Sequence, residues 1–339
     1  MSFWTKDEIK TLNRLRDGFL AGNAGAADYW SSEEELGLYE KTFAQRIGWK
    51  WDAVLSELSL RDWSPPSTKL VDWACGSGIA GLRTLEHWPE AFTSITVTDR
   101  SYRARNFAVS RLREKRGDLA VEGGNPEQVD CGGAVVLVSH LLTELSEREL
   151  RDVLERFNGA SALLWVESAT RENARRLMAA VRGPLLASGE WKAVAPCTHS
   201  GSCPLLQGEN ERHWCHHFAR VPSEVHQDEA WRDFSERVGV DLRVLPYTFV
   251  VLERGTNAQL ASNGENGLSR VIGTAREFKG FLKVLSCAKD GVNDWTLQKR
   301  DVPATFKALR KGGELPLFRF ETQGDRVVKA ERSGAQNEP

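Results

Sequence analysis

Four of the six cysteines lie in the second half of the chain. Three are close together, in Pro196-Cys197-Thr-His-Ser-Gly-Ser-Cys203-Pro204 and His213-Trp-Cys215-His-His-Phe218, and Cys287 follows about seventy residues later. Thiolates bind metals, and clustered cysteine in a reducing compartment points to a metal before it points to disulfides. Zinc favours knuckles with two to four residues between cysteines, often with a histidine in the set. The five residues between Cys197 and Cys203 are wide for that, although His199, His213, His216 and His217 are at hand. Iron–sulfur clusters take thiolates at wider spacings, and a proline directly after a ligand, as in Cys203-Pro204, recurs in ferredoxin-type runs. Four cysteines together predict a four-thiolate centre such as [4Fe-4S], with zinc as the alternative metal. Ordinary buried thiols are the bland alternative.

A second constellation is Val71-Asp72-Trp-Ala-Cys-Gly76-Ser-Gly78-Ile-Ala-Gly81, which follows an expected strand and opens an expected helix. Gly76 and Gly78 let the backbone approach a ligand where a side chain would clash. With Gly81 they also spell the G-x-G-x-x-G string of dinucleotide binders. Asp72 before the turn, and Asp99 ending the next strand, instead resemble the S-adenosyl-L-methionine pocket of class I methyltransferases. That resemblance implies Asp72 near the methionine end and Asp99 accepting from the ribose hydroxyls. Ala74 stands where the motif has its first glycine. A turn that serves the fold alone is the competing reading.

Catalytic signatures are thin. Amino-methylating enzymes of this fold end strand four with an Asn/Asp/Ser-Pro-Pro-aromatic run, and here that position reads Ser139-His-Leu-Leu-Thr-Glu-Leu145. Cytosine-C5 methylation needs a thiolate beside the methyl donor, and neither strand four nor strand five ends in one. Cys75 and Cys131 read as small buried thiols. His140 and Glu144 are the base candidates by placement, with helix capping or a core polar role as the plainer alternative. No catalytic residue is assigned.

The elements that must position these groups follow from periodicity. Leu36, Tyr39, Phe43 and Ile47 form one stripe of an amphipathic helix, with Ser31 or Ser32 as its cap. From Leu70 the chain alternates strand and helix: Leu70–Trp73, then a helix near Ala80–His87; Ser94–Thr98, then a basic helix from Ser101. Gly133–Val138 precedes a helix at Ser146, where Glu149 completes a capping box. Ala162–Glu167 precedes helix Arg171–Arg182, stopped by Gly183-Pro184, and Pro246–Arg254 is a late strand. Such alternation predicts an α/β fold with a mainly parallel, Rossmann-like sheet. Ser269–Thr274, Phe281–Cys287, Asp294–Lys299 and Leu315–Glu321 read as strands of a small barrel of the kind that binds RNA. Residues 1–66 are thus expected to be a helical N-terminal segment, and 67–254 a methyltransferase-like domain with a Cys-rich insertion at about 196–238. A linker at 255–268, a small basic, OB-like β unit at 269–325 and a flexible tail at 326–339 complete the expected organisation.

Hydrophobic residues make up 41% of the 339 and charged residues 27%, which excludes a mainly disordered chain. No apolar run approaches the roughly 20 residues of a membrane helix, and the first residues carry early acids, so a cytoplasmic location is expected. The net charge of −2 does not by itself suggest a nucleic-acid binder. Positive charge is nevertheless concentrated in two places, Arg100–Arg116 and Arg270–Phe320. Each reads as a solvated face or as a surface for phosphates, which requires only local charge.

The Pro-Cys-x5-Cys-Pro and Trp-Cys-His-His-Phe segments stand beside Pro246-Tyr-Thr-Phe-Val-Val-Leu-Glu-Arg254, Ile47-Gly-Trp-Lys-Trp51 and Val136–Leu145. Over roughly Tyr29–Phe320 the chain therefore resembles the "ribosomal small subunit of mitochondria twenty-two" family, which includes methyltransferase-like protein seventeen and bacterial relatives. The resemblance implies a factor that assembles the small ribosomal subunit by binding its ribosomal RNA, and a protein monomeric off the ribosome. It also implies a [4Fe-4S] cluster on Cys197, Cys203, Cys215 and Cys287, and an S-adenosyl-L-methionine pocket at Asp72, Gly76, Gly78 and Asp99. Two positions depart from the pattern on the cofactor side: Ala74, and Glu167-Ser-Ala-Thr170 where relatives have Glu-Pro-Gly-Thr. An active rRNA methyltransferase with a structural metal is one alternative. A small-molecule methyltransferase with a zinc knuckle is the other.

Overall fold

The computed structural model describes residues 3–22, 29–255, 267–311 and 317–333. In chain order the helices are α1 (Lys6–Leu20), α2 (Glu33–Glu40), α3 (Phe43–Leu60), α4 (Ile79–His87), α5 (Tyr102–Lys115), α6 (Glu147–Arg156), α7 (Arg171–Arg176), α8 (Gly183–Ala187), α9 (Glu229–Val238) and α10 (Pro303–Lys311). The strands are β1 (Lys69–Trp73), β2 (Ser94–Thr98), β3 (Ala120–Gly124), β4 (Val135–Ser139), β5 (Ala162–Ser168), β6 (Trp191–Ala195), β7 (His217–Ala219), β8 (Leu245–Arg254), β9 (Leu268–Phe278), β10 (Phe281–Ala288), β11 (Gly291–Gln298), β12 (Leu317–Gln323) and β13 (Arg326–Arg332). They divide between two compact units.

The first unit comprises 1–55, 65–166 and 219–245. Its strands run parallel in the order β3-β2-β1-β4-β5, with Leu70 opposite both Ile95 and Val135 and with Val135 opposite Ala162. The apolar runs of β4 and β5 are buried almost throughout, as strands covered on both faces must be. The strand order reverses between β1 and β4, the place where open α/β sheets bind ligands. Three helices precede it, as expected. The stripe from Leu36 to Ile47 is cut in two, because the chain leaves α2 at Lys41 and Thr42 before α3 begins. Ser32 caps α2, and Ser146 with Glu149 forms the expected capping box on α6.

The second unit comprises 56–64, 167–218 and 246–339. β8 pairs antiparallel with β6 and also pairs with β7. The remaining five strands close a barrel in the order β10-β11-β13-β12-β9. Its β9-β10-β11 meander, the parallel β11–β13 pair and a helix (α10) between the third and fourth strands give the OB-fold topology. Val271, Leu282, Val284, Leu297, Phe306, Phe318 and Val327 fill it.

Two expectations need correction. Residues 326–332 are not tail but β13, the strand that joins β11 to β12. Only Val327 of that strand is fully buried, so its charged alternate positions hid it. Gly183-Pro184 does not stop a helix either. Leu177–Arg182 widens into a π-helical turn and the chain coils on through α8, with Pro184 in its first turn, where a missing N–H is tolerated. The linker expected at 255–268 falls mostly outside the described residues.

Candidate cofactor pocket and cysteine cavity

A cavity of about 950 Å³ opens in the first unit at the carboxyl ends of its strands, within the size range of small-molecule sites. The turn after β1 forms its floor. Ala74, Gly76 and Gly78 all adopt left-handed backbone conformations, with φ of 54°, 51° and 76°. A Cβ on Gly76 would meet nothing within 4 Å, whereas one on Gly78 would sit 3.0 Å from the Cβ of Ala108 on α5. Gly76 therefore faces the cavity, and Gly78 lets α5 pack against the turn. Alanine at 74 adopts a conformation that costs an L-residue about 1–2 kcal/mol, which is the physical reason for a glycine at this point of the motif.

Asp99 lines the cavity. Its Oδ2 accepts from the Gly76 amide at 2.9 Å and its Oδ1 from the Ser101 amide at 2.8 Å, so half of its lone-pair sites remain for a ligand. Burial raises its pKa. Asp72 lies behind the turn, fully buried, with Oδ2 accepting from the Gly81 amide at 2.9 Å and Oδ1 without a partner. Burial pushes its carboxyl up to about 7. Of the four residues expected here, Gly76 and Asp99 thus reach the cavity, while Asp72 and Gly78 support the turn from behind.

His140 and Glu144 also line the cavity. His140 has φ of +55°, a strained conformation of the kind found at ligand sites. Its Nε2 lies 3.1 Å from Lys50 Nζ and its Nδ1 3.1 Å from Ser139 Oγ, which also accepts from Trp51 Nε1. With the ammonium donating to Nε2, the proton sits on Nδ1. Burial first, and then Lys50 and Arg46, hold the ring neutral. Its basic nitrogen is therefore committed to Lys50 in this arrangement. Sequence reasoning did not single out Arg16, Arg46 and Lys50, which bring three cations to the same wall. The only hint was the Trp-Lys-Trp run on an amphipathic helix.

The second unit holds the cysteines. Cys197, Cys203, Cys215 and Cys287 line one small cavity together with His199 and Arg270, and all are free thiols. Three come from the segment between β6 and β7. Cys287 comes from the outward face of β10, whose alternate residues Leu282, Val284 and Ser286 point into the barrel. Among the described residues no three His, Cys, Asp or Glu are gathered closely enough to hold a single metal ion. Burial, followed by mutual repulsion, raises the pKa of Cys203, Cys215 and Cys287, so four thiolates need positive charge beside them.

Three arginines supply it. Arg182, almost wholly buried, donates through Nε to Cys197 Sγ at 3.1 Å and through Nη2 to the His199 carbonyl at 2.9 Å. Burial works against its charge, but the thiols of Cys197, Cys203 and Cys287 raise its pKa. Arg270 pairs with Glu57 and donates to His217 Nδ1 at 3.1 Å. The opposite ring nitrogen then carries the proton and faces Cys215 Sγ at 3.5 Å. Arg61 also pairs with Glu57, at 2.7 Å, and donates to the carbonyls of Val194, Pro196 and Cys197. Three guanidiniums against one carboxylate leave two positive charges around the cysteines. A four-thiolate centre with a dipositive core carries two negative ones, so these residues fit such a group.

The basic stretch on α5 is built differently from the expectation. Arg103 donates to the Trp30 carbonyl, Arg105 to those of Asp99 and Gly124, and Arg113 to that of Val121. Arg111 pairs with Glu40 and reaches the Ser77 carbonyl, and Arg116 holds Leu85, Pro89 and Asp118. These cations tie the first unit together through backbone carbonyls, while Arg103 and Arg113 stay exposed.

The first unit is a Rossmann-like α/β fold, and the second ends in an OB-type barrel. Residues 46–313 match the family described as mitochondrial small ribosomal subunit Rsm22, and the chain belongs to that family. No curated protein matches it. Among solved structures it is similar to magnesium protoporphyrin IX methyltransferase from Synechocystis PCC 6803 with bound SAM, at 11% identity over 75% of this chain and 100% of that one (TM-score 0.40). Human N-acetylserotonin methyltransferase with SAM is 17% identical over 73% of this chain and 67% of its own (TM-score 0.38).

Proposed function

We propose that this protein is an assembly factor of the small ribosomal subunit. It binds ribosomal RNA, carries a [4Fe-4S] cluster on Cys197, Cys203, Cys215 and Cys287, and holds S-adenosyl-L-methionine in the cavity beside Gly76 and Asp99. The observation that carries this reading is the single cavity framed by four thiols and a buried arginine shell of net charge +2. Arg182 and His217 supply N–H···S contacts of the kind that orient and tune cluster ligands. When bound, the cluster clamps the cysteine loops to β10 and so to the barrel. In the first unit, Asp99 offers its remaining lone pairs to two hydroxyls, and the Gly76 turn allows close backbone approach.

Purification without air, with iron and sulfide counts, tests the metal. About four of each per chain and a broad band near roughly 400 nm are expected. A Cys203→Ser protein should lose the iron and bind RNA more weakly. A colourless protein with about one zinc would instead make the cysteines a structural knuckle.

A second reading, an active rRNA methyltransferase, draws on the strained, buried His140 that lines the cavity. Labelled methyl transfer to small-subunit RNA, abolished by Asp99→Ala, would establish it. Binding of the methyl donor without transfer leaves the assembly role standing.

A further inference from the structure

The β9–β10 hairpin turns through Phe278-Lys279-Gly280-Phe281. Its two rings stack nearly parallel, with centroids 4.9 Å apart and 6° between their planes. Phe278 is 46% exposed, on a barrel whose other large apolar side chains turn inward or pack between elements. A lone exposed phenylalanine requires no explanation. This one has a second ring braced behind it, so its outer face is held flat toward solvent.

Cations collect at the same end of the barrel. Phe281 pairs with Gln298, which sets the Lys299-Arg300 turn beside it. Arg310 of α10 pairs with Glu277 at 2.9 Å, which brings Lys307, one helical turn earlier, to that end as well. The β12–β13 turn arrives there through Asp325, bonded to Thr296. Arg276 and Arg326 are neutralised by Asp294 and Asp301. Lys279, Lys299 and Lys307 make no ion pair among the described residues. A rigid aromatic face ringed by unpaired ammonium groups suits a planar, uncharged base carried on a polyanionic chain. An OB barrel meets oligonucleotides with the loop between its first two strands and the loop between its last two, and here these are the phenylalanine tip and the Asp325 turn.

We propose that the β9–β10 tip is a base-stacking site for single-stranded RNA. An unpaired base lies on the outer face of Phe278, and Lys279, Lys299 and Lys307 hold the flanking phosphates. This site rests on the RNA-binding reading above and gives it a point of contact. Bases inside a duplex do not present a free face, so the site discriminates against double strands.

The test uses the full-length protein and a single-stranded RNA of about twelve nucleotides carrying 2-aminopurine, with a duplex of equal length as control. Phe278→Ala should weaken single-strand binding roughly 5- to 100-fold. It should abolish the 2-aminopurine fluorescence change and leave the salt dependence and melting temperature unchanged. Phe278→Trp should restore both affinity and the fluorescence change. Lys279→Ala should instead reduce the log–log salt slope by about 0.7. If Phe278→Ala binds as the parent does, or loses duplex affinity equally, the stacking site is wrong while RNA binding stands. If the parent binds no RNA even at low salt, the assembly reading falls first and takes this site with it. A binding partner that proves to be protein would produce that result.

Discussion

Arg111 on α5 and Lys279 at the barrel tip carry the same charge in comparably basic stretches, yet they are used in opposite ways. Arg111 is half-buried, paired with Glu40 and bonded to the Ser77 carbonyl. Lys279 is exposed at a turn and makes no ion pair among the described residues. The same contrast holds along the two stretches: the α5 arginines brace the first unit through backbone carbonyls, whereas Lys279, Lys299 and Lys307 make no ion pair among the described residues. Guanidinium groups suit the first task, because their forked donors satisfy several carbonyls at once. A compact, strongly hydrated ammonium suits the second. Local charge density therefore does not locate a phosphate surface until each cation's partners are known.

The contrast can be broken or sharpened in steps. The largest effect concerns charge that the first unit has buried. The Asp72 carboxyl is raised to about 7 in the folded protein, above the unfolded value, so the neutral form is favoured by folding. The contribution of Asp72 alone to stability without ligand should be fully present below about pH 4 and fall as pH rises toward 7, by on the order of 3–4 kcal/mol. Asp72→Asn should flatten that curve in chemical denaturation, and identical curves for both proteins would show that the charge is not buried. Next, Arg111→Ala leaves Glu40 without its partner and should cost about 3 kcal/mol of stability, with RNA affinity unchanged once folding is restored by lower temperature. An RNA defect in the folded variant would return α5 to the interface.

Combined Lys279→Ala, Lys299→Ala and Lys307→Ala should do the reverse. The salt slope for single-stranded RNA should fall by about 2, while the melting temperature stays where it was. The smallest effect is expected from Lys115→Ala, an exposed α5 cation with neither an ion pair nor a carbonyl partner among the described residues. It should move stability by less than about 0.5 kcal/mol and leave the salt slope unchanged. A drop comparable to that of Lys279→Ala would place α5 on the RNA after all.

Much of the frame was readable from the residues. Parallel strands with uninterrupted apolar runs, such as Val135–Val138, announced themselves, as did the Ser146–Glu149 cap. Four of the five barrel strands were legible, but β13 was not, because a barrel strand with charged outward positions looks like a tail until its closing partner is known. β6 and α10 were also missed. At the sites, clustering in the sequence pointed to Cys197, Cys203 and Cys215, which line one cavity with Cys287, the residue that the family resemblance added to them. Spacing could not show which side of the glycine turn each residue takes. Gly76 and Gly78 are two residues apart and both have positive φ, but one meets open space and the other meets Ala108. The charge shell was equally hidden, because Glu57, Arg61, Arg182 and Arg270 come from distant parts of the sequence and are ordinary residues in isolation.

The position of Cys287 on β10 has a consequence for timing. The loop cysteines leave the ribosome well before it, with about seventy residues of chain still to be made in between. Until β9 and β10 have paired, the fourth thiol has no fixed place, and closing so long a segment of unfolded chain carries an entropic cost. A metal centre built on all four can therefore be completed only after β10 has been made. Its presence would report that β9 and β10 have been made and paired.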